Sequence, residues 1–161
     1  MEIKRNIKMK IVIGADSFAY ELKKAVGEHL KAKNISLIDA DNYSNIPYFD
    51  VAFDAANQVA QGKADGAILF CGTGAGMNIV ANKVAGIRAV AVESVFSAKK
   101  AKAINNANVI TMGAMIVGNF MACEMVDAWL DTKFAEGFEQ LKYFLADAEK
   151  SVSSIDEKTR R

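Results

Sequence analysis

Five short apolar runs, each followed by a helical pattern, leave this chain few folds to choose from. The runs fall at 11–13, 36–39, 66–70, 88–92 and 108–111. Each is apolar without alternation, as a parallel strand buried on both faces requires. Amphipathic stretches follow at 19–33, 50–61, 77–84, 95–104 and 117–131, the first with Leu22, Ala25, Val26, His29 and Leu30 on one stripe. Five strand-then-helix units in register predict an α/β domain, an open five-stranded parallel sheet between two layers of helices. An aromatic-rich stretch at 134–149 predicts an extra C-terminal helix. Residues 9–150 read as one domain, 1–8 as an N-terminal extension and 151–161 as a flexible tail.

In such sheets ligands bind beyond the carboxyl ends of the strands. The residues to weigh are therefore Asp16 and Ser17, the loop 41–50 around the single proline Pro47, the segment 71–77, Glu93 and Ser94, and Asn105 and Asn106 before the last strand. Composition narrows the ligand. Twenty basic residues against nineteen acidic ones give a net charge of +1, which suits neither a nucleic-acid surface nor a membrane patch. No apolar run reaches the roughly 18 residues of a membrane span. The charged start MEIKRNIK lacks the apolar stretch of a secretory signal. Cys71 and Cys123 read as reduced thiols, so a cytoplasmic protein is expected. His29 is the single histidine, and no Cys/His cluster offers a zinc site.

The segment CGTGAGMN at 71–78 joins a strand to a helix. Glycines 72, 74 and 76 let the backbone approach a ligand and turn its N–H groups inward, as needed to hold a phosphate or an oxyanion. Strand, GTGAG, helix, strand and then Glu93 also mimics a dinucleotide fingerprint. Against that stand the GxGxG spacing, a following helix of about two turns, and a position inside the chain instead of at its first βα turn. A loop tight only for packing is the plain alternative. Cys71, at a strand end facing a helix N-terminus, is expected to have a lowered thiol pKa and to suit a base that takes a carbon-bound proton beside a carbonyl. A buried packing cysteine is the other reading, and the one that fits Cys123. Thr73 can donate to a carbonyl or hydroxyl oxygen, or simply bond its own turn.

Taken together, KIVIGAD and YELK within 10–23, FCGTGAGMNIVANKVAGIRAV at 70–90, FSAKKAK at 96–102, NNANVITMGAMIVG at 105–118 and MVDAWL at 125–130 resemble the type B ribose-5-phosphate isomerases and galactose-6-phosphate isomerase subunits. The resemblance implies a Rossmann-like sugar-phosphate isomerase, active without a cofactor, assembled as a homodimer or tetramer with sites across the subunit interface. It implies Cys71 as the enediol base, Thr73 as its partner and the N–H groups of Gly72, Gly74 and Gly76 around the enediolate oxygen. Asp16 and Ser17 would face the sugar, with Asn105 reaching in from a neighbouring subunit. On their residues alone, Asp16 could equally be a helix N-cap and Asn105 a helix C-terminal residue.

The departures from the family matter too. Ring-opening members carry a histidine where Ser17 stands and another where Ile104 stands, and a tyrosine where Ile46 stands. Their phosphate-binding arginines fall at Met115, Phe138 and Lys142, so Lys142 alone keeps a cation. Three readings follow: a short open-chain sugar phosphate such as a tetrulose phosphate; one subunit of a hetero-oligomeric galactose-6-phosphate isomerase; or a sugar-phosphate-binding relative without turnover.

Overall fold

The computed structural model describes residues 8–159. Its sheet is fully parallel: β1 (Lys10–Ala15), β2 (Ser36–Asp39), β3 (Gly66–Cys71), β4 (Ala89–Ala91) and β5 (Val109–Gly113), in the order β2-β1-β3-β5-β4. Register is set by side-chain alternation. Ile13 pairs with Ile68 and Ile68 with Ile110, so their side chains line one face together, while Val12, Ala67 and Val109 line the other.

Helices α1 (Tyr20–Ala32), α4 (Val95–Asn105) and α5 (Asn119–Asp131) cover the first face, where Leu22, Val26, Ala101, Met125 and Trp129 meet the strands. Helices α2 (Tyr48–Ala60) and α3 (Ala75–Ala81) cover the second with Val51, Ala55, Met77 and Ala81. The expected three-layer α/β/α arrangement is therefore present, and each strand lies within three residues of its expected ends.

Two expectations are corrected. The buried stripe of α1 is Leu22, Lys23, Val26, Gly27 and Leu30, so Ala25 and His29 are only half-buried and a lysine has entered the core. The stretch from residue 134 is not helical throughout. Ala135 (φ 63°) and Gly137 (φ 76°) take left-handed conformations, and the Ala135 N–H donates to the Ala103 carbonyl at 2.8 Å instead of to its own helix. The last helix, α6, begins at Lys142 and runs to Thr159, well past the expected end at residue 149. Leu145 is its one buried residue. Its other anchors are polar: Glu149 pairs with Arg88 at 3.2 Å, and Asp156 accepts from the Gly86 N–H.

The strand order reverses between β1 and β3, because the chain leaves β1 toward β2 and returns to β3 on the other side. The carboxyl ends of β1 and β3 thus flank the switch point where parallel sheets bind ligands. Asp16 follows one of them and Cys71 ends the other.

Candidate active site

At this switch point the Asp16 N–H donates to the Phe70 carbonyl at 3.2 Å, tying the turn after β1 to the strand that ends in Cys71. The Cys71 thiol is 6% exposed and accepts the Gly74 N–H at 3.1 Å. Gly74 has φ 81°, and a Cβ there would lie 2.9 Å from the Met112 carbonyl carbon, so both conformation and space demand glycine. Its carbonyl accepts the Thr111 hydroxyl at 2.9 Å. A Cβ at Gly113 would lie 2.6 Å from the Thr73 backbone, so a second glycine lets the end of β5 press against the loop. Gly72 and Gly76, half-buried, complete a loop that the backbone at the end of β5 presses against.

Thr73 is exposed, with its hydroxyl accepting the Ala75 N–H at a long 3.4 Å. Asp16 caps the short 3-10 turn Ser17–Ala19 by accepting the Phe18 N–H at 3.1 Å, so the N-cap role is real. Burial pushes its carboxyl above the ordinary value of 3.8, the Phe18 and Ala19 N–H groups pull it back, and the Asp41 charge pushes it up again. Ser17 is exposed beside it. Asp16, Ser17, Cys71 and the glycine loop are thus brought to one edge of the sheet.

Asn105 and Lys142 are not. Exposed Asn105 ends α4 at the opposite, amino edge of the sheet, where it lines a cavity of about 280 Å³ with Ile104, Arg88 and Leu145. Exposed Lys142 opens α6 one turn before Leu145. Within one chain neither belongs to the Cys71 edge.

The structure shows which side chains lie over the glycine loop. The Met115 thioether and the Phe18 ring lie over Gly72, at 3.5–4.0 Å from where its Cβ would be, and the Tyr48 ring lies over Gly76. Ile46 packs into the core beneath α2. Among the described residues no group of His, Cys, Asp and Glu side chains is arranged to hold a metal ion.

A protected thiol that accepts a backbone N–H, at the same sheet edge as a partly buried carboxylate, suits proton transfer at carbon next to a carbonyl. The sequence profile of the Ribose/Galactose Isomerase family matches residues 11–143. The chain belongs to this family. It is therefore an enzyme of the aldose–ketose, sugar-phosphate isomerase class. Among its relatives is the 4-deoxy-4-sulfo-D-erythrose isomerase of Clostridium sp. (strain MSTE9), 40% identical over 157 residues that cover 95% of this chain and 99% of the relative. The D-erythrulose-4-phosphate isomerase of Pectobacterium atrosepticum is 44% identical over 135 residues, 80% of this chain and 87% of that one. The solved Clostridium thermocellum ribose-5-phosphate isomerase B superposes with a TM-score of 0.85 at 34% identity, covering 93% of this chain and 99% of that one.

Proposed function

We propose that this enzyme interconverts a four-carbon aldose and its ketose, each ending in a phosphate or related oxyanion, and that Cys71 is the base. The observation that carries the chemistry is the Cys71 sulfur held 6% exposed against the Gly74 N–H at the switch point. The thiolate takes the C2 proton of the aldose, and the electron pair moves into a C1–C2 double bond as charge passes to the carbonyl oxygen O1. In this reading the Gly72 and Gly76 N–H groups hold that oxygen, the Gly74 N–H steadies the thiolate, and Thr73 hydrogen-bonds the adjacent oxygen. The O2 proton moves to O1, and the thiol returns its proton to C1, leaving a C2 ketone. One carbon is oxidised as its neighbour is reduced, so the balance needs no external redox partner and no cofactor.

Asp16 and Ser17 bind sugar hydroxyls in this reading. Asn105 and Lys142 complete the site from a second subunit, which is why they sit at the opposite edge of their own chain. Large exposed apolar side chains support an assembly: Phe120 at 83%, Tyr143 at 87% and Phe144 at 68% are of a kind that oligomers cover. We read the protein as a cytoplasmic homodimer or tetramer, with residues 9–150 forming the isomerase domain.

The four-carbon preference rests on what stands at residues 17 and 104. Opening a furanose ring needs a proton relay suited to neutrality, the usual work of histidine, and Ser17 and Ile104 supply none. A tetrose blocked at O4, or lacking that oxygen, cannot close a furanose ring. Two relatives that act on such four-carbon compounds, by name, support this choice. Turnover of erythrulose 4-phosphate, ribose 5-phosphate and galactose 6-phosphate by the purified chain tests it. The four-carbon substrate should lead in kcat/KM by about 100-fold, on the order of the loss of a positioned acid–base group. A chain that acquires galactose 6-phosphate turnover only on mixing with a related subunit would instead be one half of a hetero-oligomer.

A further inference from the structure

Lys23 is a charged side chain in the core, 2% exposed, with no place in the mechanism above. Its ammonium group donates to Asp39 at 2.6 Å and to both oxygens of Asp41 at 2.8 Å. Asp41 is itself fully buried, and its carboxylate is shared: one oxygen accepts the Ala15 N–H at 2.7 Å and the other the Tyr43 N–H at 2.8 Å. The Tyr43 ring covers the ammonium at 3.9 Å and meets the Tyr20 ring edge-on at 5.0 Å. The Tyr20 hydroxyl in turn accepts the Asn45 N–H at 2.7 Å. Asn42, Tyr43 and Asn45 all have positive φ, a path the chain adopts only where its surroundings dictate it. This loop then delivers Tyr48 onto Gly76 of the glycine loop.

A buried ion pair seldom adds stability over a packed apolar pair, so its use lies in fixing a geometry. Here one carboxylate holds the residue before Asp16 and the loop that leads to Tyr48. We propose that Lys23 is a positioning residue that, through Asp41, sets Asp16 and the 41–47 loop against the glycine loop. Its effect on turnover rests on the reading of Asp16 as a sugar ligand; its effect on Asp16 itself does not. The titratable and charged groups around this turn are Lys23 and Tyr20 of α1, Asp39 and Asp41 at the end of β2, Tyr43 of the loop, and Cys71 at the end of β3.

The test compares the wild type with Lys23→Met, Asp41→Asn and the double variant. The double variant leaves no buried charge unpaired and keeps the comparison alive if Lys23→Met fails to fold. The first readout is the Asp16 carboxyl titration followed by carbon-13 NMR, which needs no substrate. Lys23→Met exposes Asp16 to an uncompensated carboxylate, so its midpoint should rise by about one pH unit, while Asp41→Asn and the double variant should lower it. The second readout is kinetic: the double variant should raise KM roughly tenfold or more with kcat within about threefold, the pattern of lost positioning for binding. An Asp16 midpoint unchanged in every variant overturns the proposal, whether or not any sugar is turned over. A shifted midpoint with wild-type KM and kcat overturns the positioning role in catalysis. If the wild type turns over none of the sugars, the isomerase reading fails, and the titration still decides whether Lys23 governs Asp16.

Discussion

At the scale of single residues, the shape of the Cys71 edge depends on backbone positions where nothing larger than glycine fits. Gly74 is the clearest. Its left-handed backbone and the 2.9 Å approach to Met112 mean that Gly74→Ala strains the backbone and displaces β5 at once. Such a change should cost on the order of 1–3 kcal/mol, seen as a lower denaturation midpoint, with turnover falling further because the N–H groups shift. Asp16 offers the opposite trade. Because burial raises its carboxyl above 3.8, the folded state opposes its ionisation. The penalty is absent below the unfolded value near 3.8 and complete above the raised folded one. Asp16→Asn, which keeps an N-capping oxygen, should therefore melt higher near neutral pH and lose that advantage in acid, while turnover drops. Thermal melts across pH check the crossover. Cys71, Thr73 and the glycines were legible in the sequence because they are contiguous. Lys23 was legible in principle, since it falls at i+1 of Leu22 and i−3 of Val26 on the buried face. A lysine there is normally read as solvent-facing, and its partners lie 16 and 18 residues away. Phe18 was not legible, and although Met115 and the loop holding Tyr48 were weighed, their contacts with the glycine loop were not, because only tertiary packing lays these side chains over it.

Among elements, the strands declared themselves and the last helix did not. A buried parallel strand needs an apolar run, and β1, β3 and β5 each carry one that nothing else explains. The aromatic residues at 134, 138, 143 and 144 mimic a helical stripe, but Phe138 instead lies under the Lys100 ammonium at 4.5 Å, in the turn before α6. The docking of α1 on α5 has a polar component. Asp127 on α5 accepts from His29 at 2.8 Å and Lys33 at 2.6 Å on or just after α1. Burial pushes its carboxyl up, yet these partners outweigh it and hold the group below 3.8. A depressed carboxyl stabilises the fold above its unfolded value and loses that contribution as pH falls through its folded one. Asp127→Asn should thus lower the melting temperature modestly at pH 7, with the gap to wild type closing below about pH 4. A gap that persists unchanged in acid would remove the ion pair from the account.

For the whole molecule, one chain places its candidate residues at opposite edges of its sheet: Asp16, Ser17, Cys71 and the glycine loop at one, Asn105 and Lys142 at the other, which in the proposed function are two half-sites. The resemblance implied that Asn105 reaches a neighbouring subunit's site, whereas strand-end reasoning alone placed Asn105 with the rest. If each complete site spans two subunits, inactive Cys71→Ala and inactive Asn105→Ala chains should complement each other. In a random mixture of dimers half are mixed and each holds one intact site, so activity should recover to about a quarter of wild type. No recovery would confine the site to a single chain. The central claim is narrower still: that Cys71 moves a carbon-bound proton. Incubating the enzyme with erythrulose 4-phosphate in heavy water and following deuterium entry by proton NMR measures that step directly. The wild type should incorporate deuterium at the two enediol carbons, C1 of the ketose and C2 of the aldose. Cys71→Ala should incorporate it at least about 100-fold more slowly while still binding the sugar, and Cys71→Ser should recover little. Wild-type exchange by the alanine variant would contradict the account.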